Sequence, residues 1–190
     1  TDESIIDYLQ QNKIIVSAGH SNATYKQAMQ SFNKIKTVTH LFNAMSPMQS
    51  REPGMVGAVY DHPSVCSSIV ADGIHTDYAA LRISKKILKE RLFLITDAVS
   101  ETSEGPYTHV LNKDRYTLPD GTLSGSALTM MQAVKNCVQY GNINLEEALR
   151  MASLYPAKII GIENDYGLIK ENHAASFVVL DEAMKVIEVM

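Results

Sequence analysis

The 190-residue sequence has no tryptophan, only four phenylalanines and only two cysteines. Two cysteines cannot build a disulfide framework, and Cys66 and Cys137 form no CxxC pair, so both are expected to be reduced and buried. No apolar run approaches the ~18 residues of a membrane span, and Thr1-Asp2-Glu3-Ser4 has neither the basic nor the apolar region of a signal peptide. Basic excess is also missing. Seventeen basic against 21 acidic residues give a net charge of −4, which offers nucleic acid or anionic lipid no attractive field. An anionic ligand would have to be held locally. What is present is an ordinary globular composition, 45% hydrophobic and 20% charged, and the expected compartment is the cytoplasm.

Short apolar runs alternate with helical periodicity through the first hundred residues. A helix over 3–11 precedes the run Ile14-Ile15-Val16. A helix over 24–34 precedes a strand at 36–41, the third run is Val65 to Val70, and a helix over 78–90 leads into Leu92-Phe93-Leu94-Ile95. This alternation predicts an α/β fold with a parallel sheet covered by helices. Beyond residue 100 the pattern changes. Residues 101–121 suggest a hairpin ending in Pro119-Asp120-Gly121. A helix over 126–140, with Leu128, Met131, Val134 and Val138 on its apolar face, stops at Gly141. Asn144 caps the next helix, and Pro156 divides that helix from a helical turn ending at Gly161. Phe177 to Leu180 and Val186 to Met190 read as two strands of a separate layer.

Each apolar run of the first hundred residues ends in groups able to do chemistry. The first is followed by Ser17-Ala18-Gly19-His20, the second by Thr39-His40-Leu41-Phe42-Asn43, the third by Ala71-Asp72-Gly73-Ile74-His75 and the fourth by Thr96-Asp97-Ala98. Parallel α/β folds place their sites at the carboxyl ends of strands. Alone, a strand-end histidine is more often a hydrogen-bonded turn residue, and an aspartate more often a cap. Four in succession favour one site containing His20, His40 and Asp97. Two imidazoles suit a divalent ion, which acidifies bound water; a neighbouring carboxylate can carry the proton.

Two other elements carry weaker signals. Arg51-Glu52-Pro53-Gly54 presents a guanidinium suited to phosphate or carboxylate, although alone it reads as half of a surface ion pair. Leu123-Ser124-Gly125-Ser126 is either a helix cap or an anion-binding entry to a helix. His62, His109 and His173 receive no role.

Taken in order and spacing, Gly19-His20-Ser21-Asn22-Ala23, Thr39 to Met45, Arg51 to Gly54, Ala71 to His75, Thr96-Asp97-Ala98 and Thr122 to Ser126 resemble the N-acetylglucosamine-6-phosphate deacetylases of the metal-dependent amidohydrolase superfamily. The resemblance runs from about residue 12 to the end. It implies the C-terminal half of a TIM (β/α)8 barrel, strands five to eight, over residues 1–165. A remnant of a small β-sandwich domain would occupy 166–190. His20 and His40 match metal ligands for zinc or iron, and Asp97 matches the general base and acid that serves a metal-held hydroxide. His75 matches a substrate-binding histidine. Asn43 and Ala44 match phosphate-holding residues near Arg51, which would reach a neighbouring subunit's site in a homodimer, and Leu123, Ser124 and Gly125 match a loop over the sugar.

The implied reaction converts N-acetylglucosamine 6-phosphate to glucosamine 6-phosphate and acetate. A glutamate ligand, a further histidine and half of the β domain are expected to precede Thr1, so the isolated chain is expected to be inactive and to hold a metal weakly or not at all. Near the C-terminus, Asn172-His173 replaces the family's Gly-Lys pair; asparagine tolerates the left-handed backbone expected there. Two alternatives remain: a related amidohydrolase acting on N-acetylgalactosamine 6-phosphate or an unphosphorylated amide, and a noncatalytic truncated chain that binds a ligand or partner.

Overall fold

Four short strands pair side by side, all parallel and in chain order: β1 (Ser17–Ala18), β2 (Thr37–Val38), β3 (Cys66–Val70) and β4 (Leu92–Ile95). The computed structural model that shows this describes residues 2–102 and 108–190. Residues 103–107 of the expected 101–121 hairpin lie outside the described residues.

The two long strands are largely buried because helices cover them. Ile69, Val70, Leu92 and Leu94 are at most 1% exposed, and burying each such side chain contributes ~1.5–3 kcal/mol. Helix α1 (Glu3–Gln11) starts at Asp2, whose side chain accepts from the Ser4 N–H. Helix α2 (Tyr25–Ser31) starts in a capping box of Thr24 and Gln27, which satisfies two amides that a helix start leaves free. Helix α3 (Gly54–Asp61) is buried nearly all round, through Met55, Val56, Ala58 and Val59. The sequence pattern misses it, since a helix apolar on every face has no amphipathic periodicity. Helix α4 (Tyr78–Leu88) continues into a 3-10 turn at Lys89–Arg91 that feeds β4.

Several expected boundaries move. The first strand is Ser17–Ala18, not Ile14-Ile15-Val16, and Ile14 and Ile15 are each half exposed. No strand pairs with the free edge of β1 among the described residues, so nothing covers that run. Residues 110–126 form three antiparallel strands, β5 (Val110–Asn112), β6 (Arg115–Thr117) and β7 (Leu123–Ser126), with Pro119-Asp120-Gly121 in the second turn. Leu123 to Ser126 is therefore strand and not a helix entry. Helix α5 (Met130–Gln139) begins later than expected, because the Thr129 side chain accepts from the Gln132 N–H and Leu128 packs ahead of it. The α5 face turned inward is Ala133, Val134 and Cys137; burial pushes the Cys137 thiol up to about 12.

Asn144 caps α6 (Leu145–Ala152) as expected, accepting from the Glu147 N–H at 2.8 Å. The break before α7 (Leu154–Ile160) falls at Ser153, and Pro156 sits within the first turn of α7, where a missing N–H costs nothing. Gly161 ends α7 in the left-handed conformation, and Asn172 adopts the same region at φ 67°. The last two strands, β8 (Val178–Leu180) and β9 (Val186–Val189), form a two-stranded antiparallel ribbon with Val178, Ile187 and Val189 more than half exposed. Among the described residues, no helix is long and apolar enough to cross a membrane.

Candidate active site

Parallel order places all four strand ends on one rim. Two residues past the end of each strand stands His20, His40, Asp72 or Asp97. The backbone there is strained. Of the eleven described non-glycine residues with positive φ, five are His20 (45°), His40 (33°), Phe42 (80°), Ala44 (48°) and Asp97 (50°). Such conformations persist only where surrounding contacts impose them, and they concentrate at functional sites.

His20 and His40 come together, their ring centroids 4.7 Å apart in an edge arrangement. Buried Ser68 on β3 holds the second of them: its Oγ accepts the His40 N–H and its carbonyl accepts the Leu41 N–H, both at 2.8 Å. Sequence reading missed Ser68, since a serine inside an apolar run gives no sign of which neighbouring amide it will meet. Gly19 makes room for the Thr39 methyl, beside the ring. A Cβ there would lie 2.5 Å from the Thr39 methyl and 3.6 Å from His40 Cε1. His40 is 5% exposed and its Nδ1 is buried without a hydrogen-bond partner. An open cavity of about 400 Å³ adjoins the pair, lined by His20, Ser21, Asn22, Ala44 and Met45. A larger cavity of about 840 Å³ lies between α1, β1 and α2 and is lined by neither imidazole of the pair nor Asp97; the smaller one is lined by His20 but not by His40 or Asp97.

The loop after β2 is tied to the loop after β1. Ser21 N–H donates to the Ala44 carbonyl at 2.9 Å, and Ser46 N–H to the Ser21 carbonyl at 3.0 Å. Asn43 presents a buried side-chain Nδ2 with no partner. Arg51 is exposed, and among the described residues no acid lies within ion-pair distance of it. The expected alternative, a surface ion pair with Glu52 or another acid, does not form among the described residues. Glu52 instead accepts the N–H of Tyr25 at 2.7 Å and of Gly54 at 2.9 Å, and these donors hold its carboxyl below the usual range. The turn behind Arg51 is thereby fixed.

Asp72 and His75 form a second polar unit, with Oδ2 and Nδ1 2.6 Å apart and both side chains 7% exposed. Asp97 is exposed. Its carbonyl accepts the Ser126 N–H at 3.0 Å, and Ser126 Oγ donates to the Thr96 carbonyl, so β7 grips the end of β4. Gly125 lies against Val99, whose methyls would stand 2.7 Å from a Cβ. Leu123 is 39% exposed, and Ser124 Oγ meets His109 Nδ1 at 2.9 Å, an unforeseen contact within the antiparallel unit.

The expected single cluster is thus only partly assembled. Val38 pairs with Ser67 and Ser67 with Leu92, which sets His40 level with Leu94 and Asp97 three residues further along. Tilted parallel strands produce such a stagger. Among the described residues, no three of His, Cys, Asp and Glu gather closely enough to hold an ion. The histidine pair does fit two places in an ion's coordination, because its imidazoles converge from adjacent strands and one keeps a buried, unpaired nitrogen.

Residues 7–190 match the amidohydrolase family. The chain belongs to that family. Among amidohydrolases it is similar to the N-acetylglucosamine-6-phosphate deacetylase of Haemophilus influenzae, 42% identical over 185 residues, covering 92% of this chain and 48% of that protein. The N-acetylgalactosamine-6-phosphate deacetylase of Escherichia coli O157:H7 is 34% identical over 189 residues, covering 95% and 50%. The crystal structure of the Pasteurella multocida N-acetylglucosamine-6-phosphate deacetylase superposes with a TM-score of 0.92 at 37% identity, covering 99% of this chain and 52% of that one. The chain spans about half the length of the curated relatives it matches.

Proposed function

We propose that this amidohydrolase chain carries the C-terminal half of a barrel that deacetylates N-acetylglucosamine 6-phosphate. The observation that carries the reading is the His20–His40 pair, with its unpaired buried nitrogen, on the rim that also bears Asp97. Kinship with deacetylases of phosphorylated amino sugars supplies the substrate class. His20 and His40 would hold a divalent ion, zinc or iron, which when bound polarises an amide carbonyl and acidifies water. Asp97 takes the proton of the attacking water and later returns it to the departing amine, releasing acetate and glucosamine 6-phosphate. The Arg51 guanidinium and the Asn43–Ala44 segment secure the phosphate, His75 contacts the sugar phosphate, and Leu123 to Gly125 close over the ring.

In this reading residues 1–165 belong to the barrel and 166–190 to a small β domain. Arg51 serves the site of a second subunit in a homodimer. Four strands leave two sheet edges unpaired, so the preceding half of the barrel supplies the remaining ligands, and the 190-residue chain alone binds metal weakly and releases no acetate. The E. coli relative gives a second reading its support: the same reaction on N-acetylgalactosamine 6-phosphate.

The test is a hybrid that places the first half of the Haemophilus influenzae relative ahead of this chain. It should release acetate from N-acetylglucosamine 6-phosphate faster than from the galactosamine epimer or the unphosphorylated sugar, while the chain alone releases none. A metal-loaded, folded hybrid that hydrolyses neither sugar phosphate, or an active isolated chain, would contradict the reading.

A further inference from the structure

The Asp72–His75 pair stands apart from the His20–His40 pair assigned to the ion, and its geometry constrains one nitrogen while leaving the other free. Asp72 accepts three N–H groups within its own turn: Ile74 N at 2.9 Å and His75 N at 2.8 Å on Oδ1, and the His75 ring at 2.6 Å on Oδ2. Burial alone would raise its carboxyl, but the His75 ring and the two backbone N–H groups outweigh it and hold the group below the usual range. An ionised carboxylate only accepts, so His75 Nδ1 must carry the hydrogen. No described residue bonds His75 Nε2.

The turn cannot easily relax. Gly73 sits at φ 75° against Tyr78, whose ring atoms would lie 2.7–2.9 Å from a Cβ, and Tyr78 stacks on Tyr140 at 4.7 Å. Behind the turn, Asn136 Nδ2 donates to the Ala71 carbonyl at 2.8 Å.

We propose that Asp72 is a positioning residue that fixes His75 as the Nδ1–H tautomer, with Nε2 presented to the ligand's oxygen atoms. The ligand assignment rests on the proposed function; the tautomer assignment does not. Whether Nε2 accepts from a sugar hydroxyl or, once protonated, donates to a phosphate oxygen, the carboxylate behind it supports the ring in either state.

Nitrogen-15 NMR of the imidazoles of the full 190-residue chain tests this, with His75→Gln to assign the signal. In the wild-type chain Nδ1 should show the protonated, pyrrole-like shift and Nε2 the pyridine-like shift. Asp72→Asn offers an amide in place of the anion and should move the tautomer ratio at least tenfold toward Nε2–H. An Nε2–H form in the wild-type chain, a measurement independent of whether the variant folds, would overturn the proposal. An unchanged ratio in an Asp72→Asn chain with native amide dispersion would overturn it equally. N-acetylglucosamine 6-phosphate should shift the His75 Nε2 signal of the hybrid. A correct tautomer with no Nε2 response, in a hybrid that still releases acetate, would overturn the ligand assignment and leave both the Asp72 lock and the proposed function standing.

Discussion

The rim of the parallel sheet and the helical layer outside it treat polar groups in opposite ways. In the outer layer Glu147 accepts from Lys85 Nζ, from Tyr155 Oη at 2.8 Å and from Arg150 Nη1 at 3.0 Å, which joins α4, α6 and α7. Arg91 likewise donates to the Val65 carbonyl at 2.6 Å. On the rim and in the loops that leave it, His40 Nδ1, Asn43 Nδ2 and Thr76 Oγ1 are buried with no partner, while the other two described atoms in that state, Glu163 Oε2 and His173 Nδ1, lie in the segment after α7. The left-handed residues His20, His40, Phe42, Ala44 and Asp97 crowd the same rim. An unpaired buried polar atom costs ~1–3 kcal/mol, and folding alone has no reason to retain several with strained backbone. The outer layer is built to hold the protein together. In the proposed function, the rim instead holds an ion and its substrate.

That contrast can be broken at several points. Asp97→Asn in the hybrid should lower acetate release by about 10²- to 10⁴-fold, the usual contribution of a general acid–base group. Its melting temperature should stay put, because the side chain is exposed. Leu94→Ala, in the body of the sheet, should do the reverse and cost about 2–5 kcal/mol of stability in denaturant titration. Glu147→Gln should cost about 1–3 kcal/mol by losing charge-assisted partners.

The pH dependence of that loss has a definite sign. Burial pushes the Glu147 carboxyl up, but Lys85, Tyr155 and Arg150 together hold it below its ordinary value of 4.5. A depressed folded-state pKa gives stability that is present above 4.5 and lost as pH falls through the folded value. The wild-type chain should therefore weaken on acidification below about pH 4.5, and Glu147→Gln should flatten that limb in acid-unfolding curves. Ser68→Ala should weaken metal binding of the hybrid by about tenfold, as the loss of an outer-shell support does. Smallest of all, Arg51→Ala should change stability by no more than about 0.5 kcal/mol, as exposed positions do, while lowering activity on the phosphorylated sugar more than on the plain one.

Much of the sheet was legible because β4 reads as an unbroken apolar run and β3 as one interrupted only by Ser67 and Ser68, and because polar residues follow each strand at once. Where the sequence misled, a missing neighbour or a competing cap explains it. Ile14 to Val16 has the composition of a strand but, among the described residues, no partner at the β1 edge to pair with. Leu128 carries helical periodicity, yet Thr129 is the residue whose side chain can close the helix start. Helix α3 was invisible, being apolar on all sides. In the site, the residue types on the rim could be read directly. Their distances could not: the His20–His40 contact follows from level register, while Asp97 lies further along, and the support from Ser68 comes from a strand 28 residues on in sequence.

The most direct test of the central claim is anomalous diffraction from crystals of the hybrid grown with one equivalent of zinc. One ion should appear between the two rings, ~2.0–2.1 Å from a nitrogen of His20 and of His40. An ordered zinc bound elsewhere, or none at that stoichiometry, would show that the paired imidazoles serve the fold and not the reaction.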